Sequence, residues 1–149
     1  MFIMRKTRYI FVYLHKTKDE ISTVFAQFMA AVGDEHKPKT IRCDCAGEYV
    51  SPKFRQILSE KYNMTMQNSN AYQQHQNGIC EKVGDTLGQR MRAGMLHSAL
   101  PSQFWGAAII MAADVYNATQ HRAFEDKDTP YHCQFRYHAH MDHFRPFGC

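Results

Sequence analysis

The sequence predicts an α/β fold, with elements in the order strand–strand–helix–strand–helix–strand–helix. Three observations carry this expectation. Apolar runs at residues 1–4 and 9–14 and a short strand-like run at residues 40–43 have the length of strands. Apolar residues recur at helical spacing at Ile21, Val24, Phe25, Phe28 and Val32, and again at Ile79, Val83, Leu87, Met91 and Met95, with Leu96 beside them. Ser51-Pro52 places a capping residue before a proline suited to the first helical position.

Taken in order, Arg5-Lys6-Thr7-Arg8 lies between the first two apolar runs and reads as the basic turn of a β-hairpin. Gly33 stops the helix that begins near Ile21. Lys37-Pro38-Lys39 is a linker, and Thr40 to Cys43 a short strand ending at Asp44. The helix opened by Ser51-Pro52 runs to about Lys61, with Phe54, Ile57 and Leu58 as its buried side. Residues 63–67 alternate weakly and suit a further strand. A Gln-rich stretch, Gln73-Gln74-His75-Gln76-Asn77, leads into Gly78 and a long helix to about Leu100. Pro101-Ser102 breaks it, and another helix covers about residues 103–119. Phe104 and Trp105, which open that helix, read as core or as a dimer face. From Gln120 the chain reads as irregular, apart from a short helix capped by Thr129-Pro130.

At 149 residues the chain can form one domain with a real core. Hydrophobic residues make up 44% and charged residues 21%, the balance of a globular chain. A net charge of +4 is compatible with a polyanionic partner without requiring one. The most apolar stretch, residues 104–116, is too short for a membrane span and contains Asp114. No signal peptide is visible, and five cysteines without secretory context read as reduced thiols. The expected location is therefore nuclear or cytoplasmic, not secreted.

Two stretches concentrate the chemistry. Lys39-Thr40-Ile41-Arg42-Cys43-Asp44-Cys45-Ala46-Gly47-Glu48-Tyr49 places an acid at a strand end, before a turn of small residues. Gly78-Ile79-Cys80-Glu81-Lys82 places a second acid, 37 positions later, in the first turn of the long helix. There a carboxylate is also ordinary helix-start chemistry, favoured by the helix dipole. Together these words resemble the catalytic core of a copia-type retrotransposon integrase, whose pattern reads roughly R-[ST]-D-N-G-G-E-Y and then P-Y-T-P-Q-Q-N-G-V-A-E-R. The resemblance continues through Met95-Leu96-His97-Ser98-Ala99-Leu100-Pro101, Phe104-Trp105-Gly106-Ala107-Ala108, Thr129-Pro130-Tyr131 and Phe147-Gly148-Cys149, so it covers essentially the whole chain. It implies a ribonuclease H-like fold, a mixed sheet flanked by helices. Residues 1–120 would form a partial integrase core domain, and residues 121–149 a mostly irregular extension of it.

The resemblance implies DNA strand transfer assisted by two Mg²⁺ or Mn²⁺ ions, which require hard oxygen ligands. Asp44 and Glu81 match the second and third acids of the family's triad and would be the catalytic metal ligands. Gln73, Gln74, Gln76, Asn77, Lys82, Arg90 and Arg92 would contact DNA, both element ends and target. Arg5, Lys6 and Arg8 are further basic candidates, and a solvated helix face is an equal alternative for Arg90 and Arg92. A homo-oligomer is implied as well. No membrane partner is expected.

Several positions depart from the pattern. Residues 1–9 resemble the family's second strand and following turn, so the central first strand and its aspartate have no counterpart in these residues. A truncated element, or a gene model opened at an internal methionine, is the expectation, with a marginally stable and inactive product. Cys45 stands where Asn is usual, and Met4 and Arg5 where paired acids are common. Asp85 follows Glu81 by one turn, adding repulsion towards phosphate. Gly84, Gly88 and Gly94 each weaken the long helix by up to about 1 kcal/mol relative to Ala. Two other readings stay open: a non-catalytic module that binds nucleic acid or oligomerises, and a zinc-binding protein using His138, His140 and His143 with Cys133 and Cys149 nearby. Glu48 and the Cys43-x-Cys45 pair are weaker metal candidates, more readily read as structural.

Overall fold

The computed structural model describes residues 1–43, 51–68, 78–124, 128–142 and 144–149. Their backbone divides into two compact units, one of Met1–Leu14 with Lys82–Cys149 and the other of His15–Glu81. The described strands form two separate two-stranded sheets, one antiparallel and one parallel, rather than the single mixed sheet expected.

In the first unit, β1 (Phe2–Ile3) and β2 (Ile10–Phe11) pair with Phe2 opposite Phe11 and Ile3 opposite Ile10. The basic turn between them is closed by Met4 N–H donating to the Tyr9 carbonyl at 2.9 Å and Arg8 N–H donating to the Met4 carbonyl at 2.8 Å. Bonded and non-bonded pairs alternate along an antiparallel ladder. Because Met4 bonds Tyr9, the Ile3–Ile10 pair is a non-bonded one, and the backbone polar groups of Ile10 face away from β1. A side chain of the helix after residue 104 takes them both. Asn117 Oδ1 accepts from Ile10 N–H and Asn117 Nδ2 donates to the Ile10 carbonyl, each at 2.9 Å. The amide thus does for β2 what a neighbouring strand would do.

The helices of this unit follow the sequence closely. α3 spans Gly78–Ser98, its first four residues belonging to the second unit, and α4 spans Trp105–Ala118 after a 3₁₀ turn at Ser102–Phe104. Val83 and Leu87 of α3 meet Ile10, Ala112, Ala113 and Tyr116 in one core, with Ile3, Val12 and Ile109 against it. The expected apolar stripe holds only in its middle, since Ile79 and Leu96 are exposed and Met91 and Met95 half-buried. The cause is the helical repeat: at 3.6 residues per turn, each four-residue step drifts about 40°, so a stripe sixteen residues long rotates off the core at its ends. Phe104 and Trp105 are likewise not core, being 41% and 54% exposed. α4 packs through small residues instead, Gly106, Ala108, Ala112 and Ala113, and its bulky start projects outward. α5 (Pro130–Phe135) is capped by Thr129, whose hydroxyl accepts from His132 N–H at 3.1 Å. Gln134 is fully buried and accepts from the Thr7 hydroxyl at 2.7 Å.

The second unit holds α1 (Ile21–Val32), β3 (Thr40–Cys43), α2 (Pro52–Tyr62) and β4 (Thr65–Asn68). Phe25 is its aromatic centre, with ring centroids 5.4 Å from Phe54, 5.3 Å from Tyr62 and 5.7 Å from Phe28. Ser51 caps α2 by accepting from Phe54 N–H at 3.2 Å. Phe54 and Leu58 are buried as expected, whereas Ile57 is only half-buried because it sits at the edge of that face. β3 and β4 pair in parallel from Thr40 opposite Thr65 to Cys43 opposite Asn68. Among the described residues, no helix is long and apolar enough to cross a membrane.

Candidate active site and nucleic-acid interface

β3 leads directly to Asp44. Its parallel pairing with β4 is reinforced on the exposed face by Thr40 Oγ1 and Thr65 Oγ1 at 3.2 Å and by Arg42 Nη2 donating to Gln67 Oε1 at 3.1 Å. Asp44, Cys45, Glu48, Gln73, Gln74, Gln76 and Asn77 lie outside the described residues. Glu81 lies in the first turn of α3, where exposed helical N–H groups and the dipole favour a carboxylate. Its side chain is exposed and has no hydrogen-bond or ion-pair partner among the described residues. The strand that ends before Asp44 and the helical turn bearing Glu81 belong to the same compact unit, His15–Glu81.

The basic candidates fall into different settings. Lys82 and Arg92 are exposed along α3. Arg92 folds back along its own helix, with Nη1 3.4 Å from where a Cβ on Gly88 would lie. Arg90 is half-buried, its guanidinium carbon 5.7 Å from the centre of the Tyr116 ring, and its Nη1 is buried without a hydrogen-bond partner among the described residues. That is a packing role against an aromatic face. In the hairpin turn Arg5 and Lys6 are exposed and Arg8 is half-buried.

A second constellation was only partly visible in the sequence. Asp128, His132 and His138 each offer one ligand atom, and the three atoms lie within 4.8 Å of one another. His132 Nδ1 is 2.5 Å from Asp128 Oδ2, and the His132 and His138 rings stack at 4.2 Å and 14°. The hydrogen bond from His132 holds the Asp128 carboxyl below the usual carboxylate range. Of the histidines expected here, His138 takes part; His140 is exposed and outside the cluster, and His143 lies outside the described residues. Asp128 and His132 were missed. Their four-residue spacing across the Thr129-Pro130 cap was the available signal, but such a spacing is commonplace at helix starts.

The fold has close counterparts among solved integrases. The chain is similar to the HTLV-2 integrase catalytic core domain, solved in complex with magnesium in a trimeric form, at 18% identity and a TM-score of 0.61 over 79% of this chain and 70% of that one. It is similar to a chain of the simian T-cell lymphotropic virus intasome in complex with PP2A regulatory subunit B56 gamma, at 17% identity and a TM-score of 0.65 over 81% of this chain and 41% of that one. The catalytic core domain of BIV integrase matches at 14% identity and a TM-score of 0.60, over 83% of this chain and 74% of that one. The fold is therefore that of an integrase catalytic core, of the ribonuclease H-like class. No protein-family model matches the chain. Aligned over 99% of its length, it is 32% identical to the retrovirus-related Pol polyprotein from transposon TNT 1-94 of Nicotiana tabacum, and it spans 11% of that relative's length. By sequence the chain is thus similar to a segment of a retrotransposon Pol polyprotein, and by fold to integrase catalytic cores.

Proposed function

We propose that this domain derives from an enzyme of DNA integration and that these 149 residues by themselves bind DNA without transferring strands. The observation that carries the reading is Glu81, exposed and unpartnered among the described residues at the start of α3, in a chain that aligns over 99% of its length with a segment of a Pol polyprotein. Asp44 and Glu81 are the proposed catalytic ligands, and their hard carboxylate oxygens fit Mg²⁺ or Mn²⁺. Bound ions would stabilise the attacking and leaving oxygens of a phosphodiester exchange. Two carboxylates, however, bring two negative charges against the four positive charges of an ion pair. Asp85, exposed one turn beyond Glu81, faces the approach of phosphate with a further negative charge. Both features disfavour catalysis by this segment alone.

DNA contact falls to Gln73, Gln74, Gln76 and Asn77, with the exposed Lys82 and Arg92; Arg90, packed on Tyr116, contributes less. The exposed Phe104, Trp105 and Ile110 suit a homo-oligomer face, and a nuclear or cytoplasmic location goes with a DNA substrate. The test pairs two assays on the purified chain. Labelled oligonucleotides with Mg²⁺ or Mn²⁺ should yield no strand-transfer product, while duplex DNA anisotropy should show binding that weakens steeply between 50 and 200 mM salt. Product that disappears in Glu81→Gln would overturn the inactive reading, and absence of binding at low salt would overturn the DNA-binding one.

A further inference from the structure

We propose that Asp128, His132 and His138 form a binding site for a single divalent ion of the zinc class. Two imidazole nitrogens and one carboxylate oxygen are a three-ligand set that zinc accepts while keeping a fourth position open. The reading does not depend on the integrase chemistry, since none of these residues belongs to the proposed catalytic set.

An ordinary helix-start pair explains Asp128 and His132 but not His138. Asp128 precedes the capping residue of α5, and its Oδ1 accepts from Thr129 N–H at 2.7 Å, which fixes the carboxylate. Its Oδ2 receives His132 at 2.5 Å and the Cys133 thiol at 3.8 Å. His138 comes from beyond the helix, is exposed, and is nonetheless laid on the His132 ring.

The required movement is small. Ligand atoms about 2.0–2.1 Å from a tetrahedral zinc ion lie roughly 3.3 Å from one another. The Asp128–His132 contact must open by less than about 1 Å, and the wider separations must close by up to about 1.5 Å from the 4.8 Å limit. Rotation of the exposed His138 out of its stack supplies most of this, without moving α5. Asp128 keeps its Thr129 hydrogen bond, the kind of outer contact that orients ligating carboxylates.

The experiment is calorimetric titration of EDTA-stripped full chain with Zn²⁺, repeated with Co²⁺ and read by visible absorption. The expected result is one ion per chain with a micromolar or tighter Kd and the intense bands of four-coordinate cobalt. His132→Gln and His138→Gln should each weaken binding at least tenfold, and His140→Gln should leave it unchanged. His138 is exposed, so H138Q keeps its circular dichroism and the test stands even if H132Q fails to fold. Absence of saturable binding, or binding that H138Q leaves unchanged, would overturn the site.

Discussion

Removing the Asn117 amide tests whether a single side chain holds the hairpin to α4. Asn117 is 2% exposed, as is Ile10. In Asn117→Ala the Ile10 N–H and carbonyl both lose their partners while remaining covered by Val83, Leu87, Ala112 and Tyr116. A buried polar group left without a hydrogen bond costs about 1–3 kcal/mol, so two cost about 2–6 kcal/mol. Small domains have about 5–15 kcal/mol in total, so the loss is a large share. With a urea slope of about 2 kcal/mol/M, the unfolding midpoint should fall by roughly 1–3 M. Far-ultraviolet circular dichroism and Trp105 fluorescence report the transition. Asn117→Asp should do no better than alanine, since it keeps an acceptor for Ile10 N–H but buries a carboxylate with its second oxygen against the Ile10 carbonyl. A midpoint shift below about 0.3 M in N117A would show instead that water or a backbone group replaces the amide at no cost.

Other outcomes follow from single sites. Gly84→Ala should stabilise the chain by about 0.5–1 kcal/mol, because a Cβ there meets nothing within 4 Å and Ala is the better helix former. The thermal midpoint should rise in parallel. His121, whose Nε2 lies 2.9 Å from the Tyr116 hydroxyl, has its pKa lowered by burial and then by Arg8 and Lys82. The folded state therefore binds the proton less readily than the unfolded one. Stability from this site is full above the unfolded pKa of about 6.5 and is lost as pH falls from there through the lower folded value. His121→Gln should flatten the fall in thermal midpoint between pH 7.5 and 5.5, and an unchanged slope would count against the assignment. Phe54→Ala should cost about 3–5 kcal/mol by urea denaturation, since Phe54 is 1% exposed against the Phe25 ring.

Local rules were enough to locate most elements. Ser51-Pro52 and Thr129-Pro130 start α2 and α5 because capping and proline geometry are decided within one turn. The apolar period of Ile21 to Val32 placed α1, and the order of short words across the chain carried the resemblance and hence the class of fold. The position of Glu81 in the first turn of α3 was equally legible. What only tertiary structure decided depends on residues far apart in sequence. Which part of α3 faces the core follows from the drift of a four-residue repeat around a 3.6-residue helix, so Val83 and Leu87 are buried while Ile79 and Leu96 are not. Asn117 meets Ile10 from 107 positions away, and Arg90 meets Tyr116 only because α3 and α4 share a core. His138 reaches His132 and Asp128 by the course of the chain after Arg136, whose left-handed φ of 65° ends α5. Capping, proline and period act within a few residues and can be read in one dimension; pairing of distant polar groups is set by where the backbone returns.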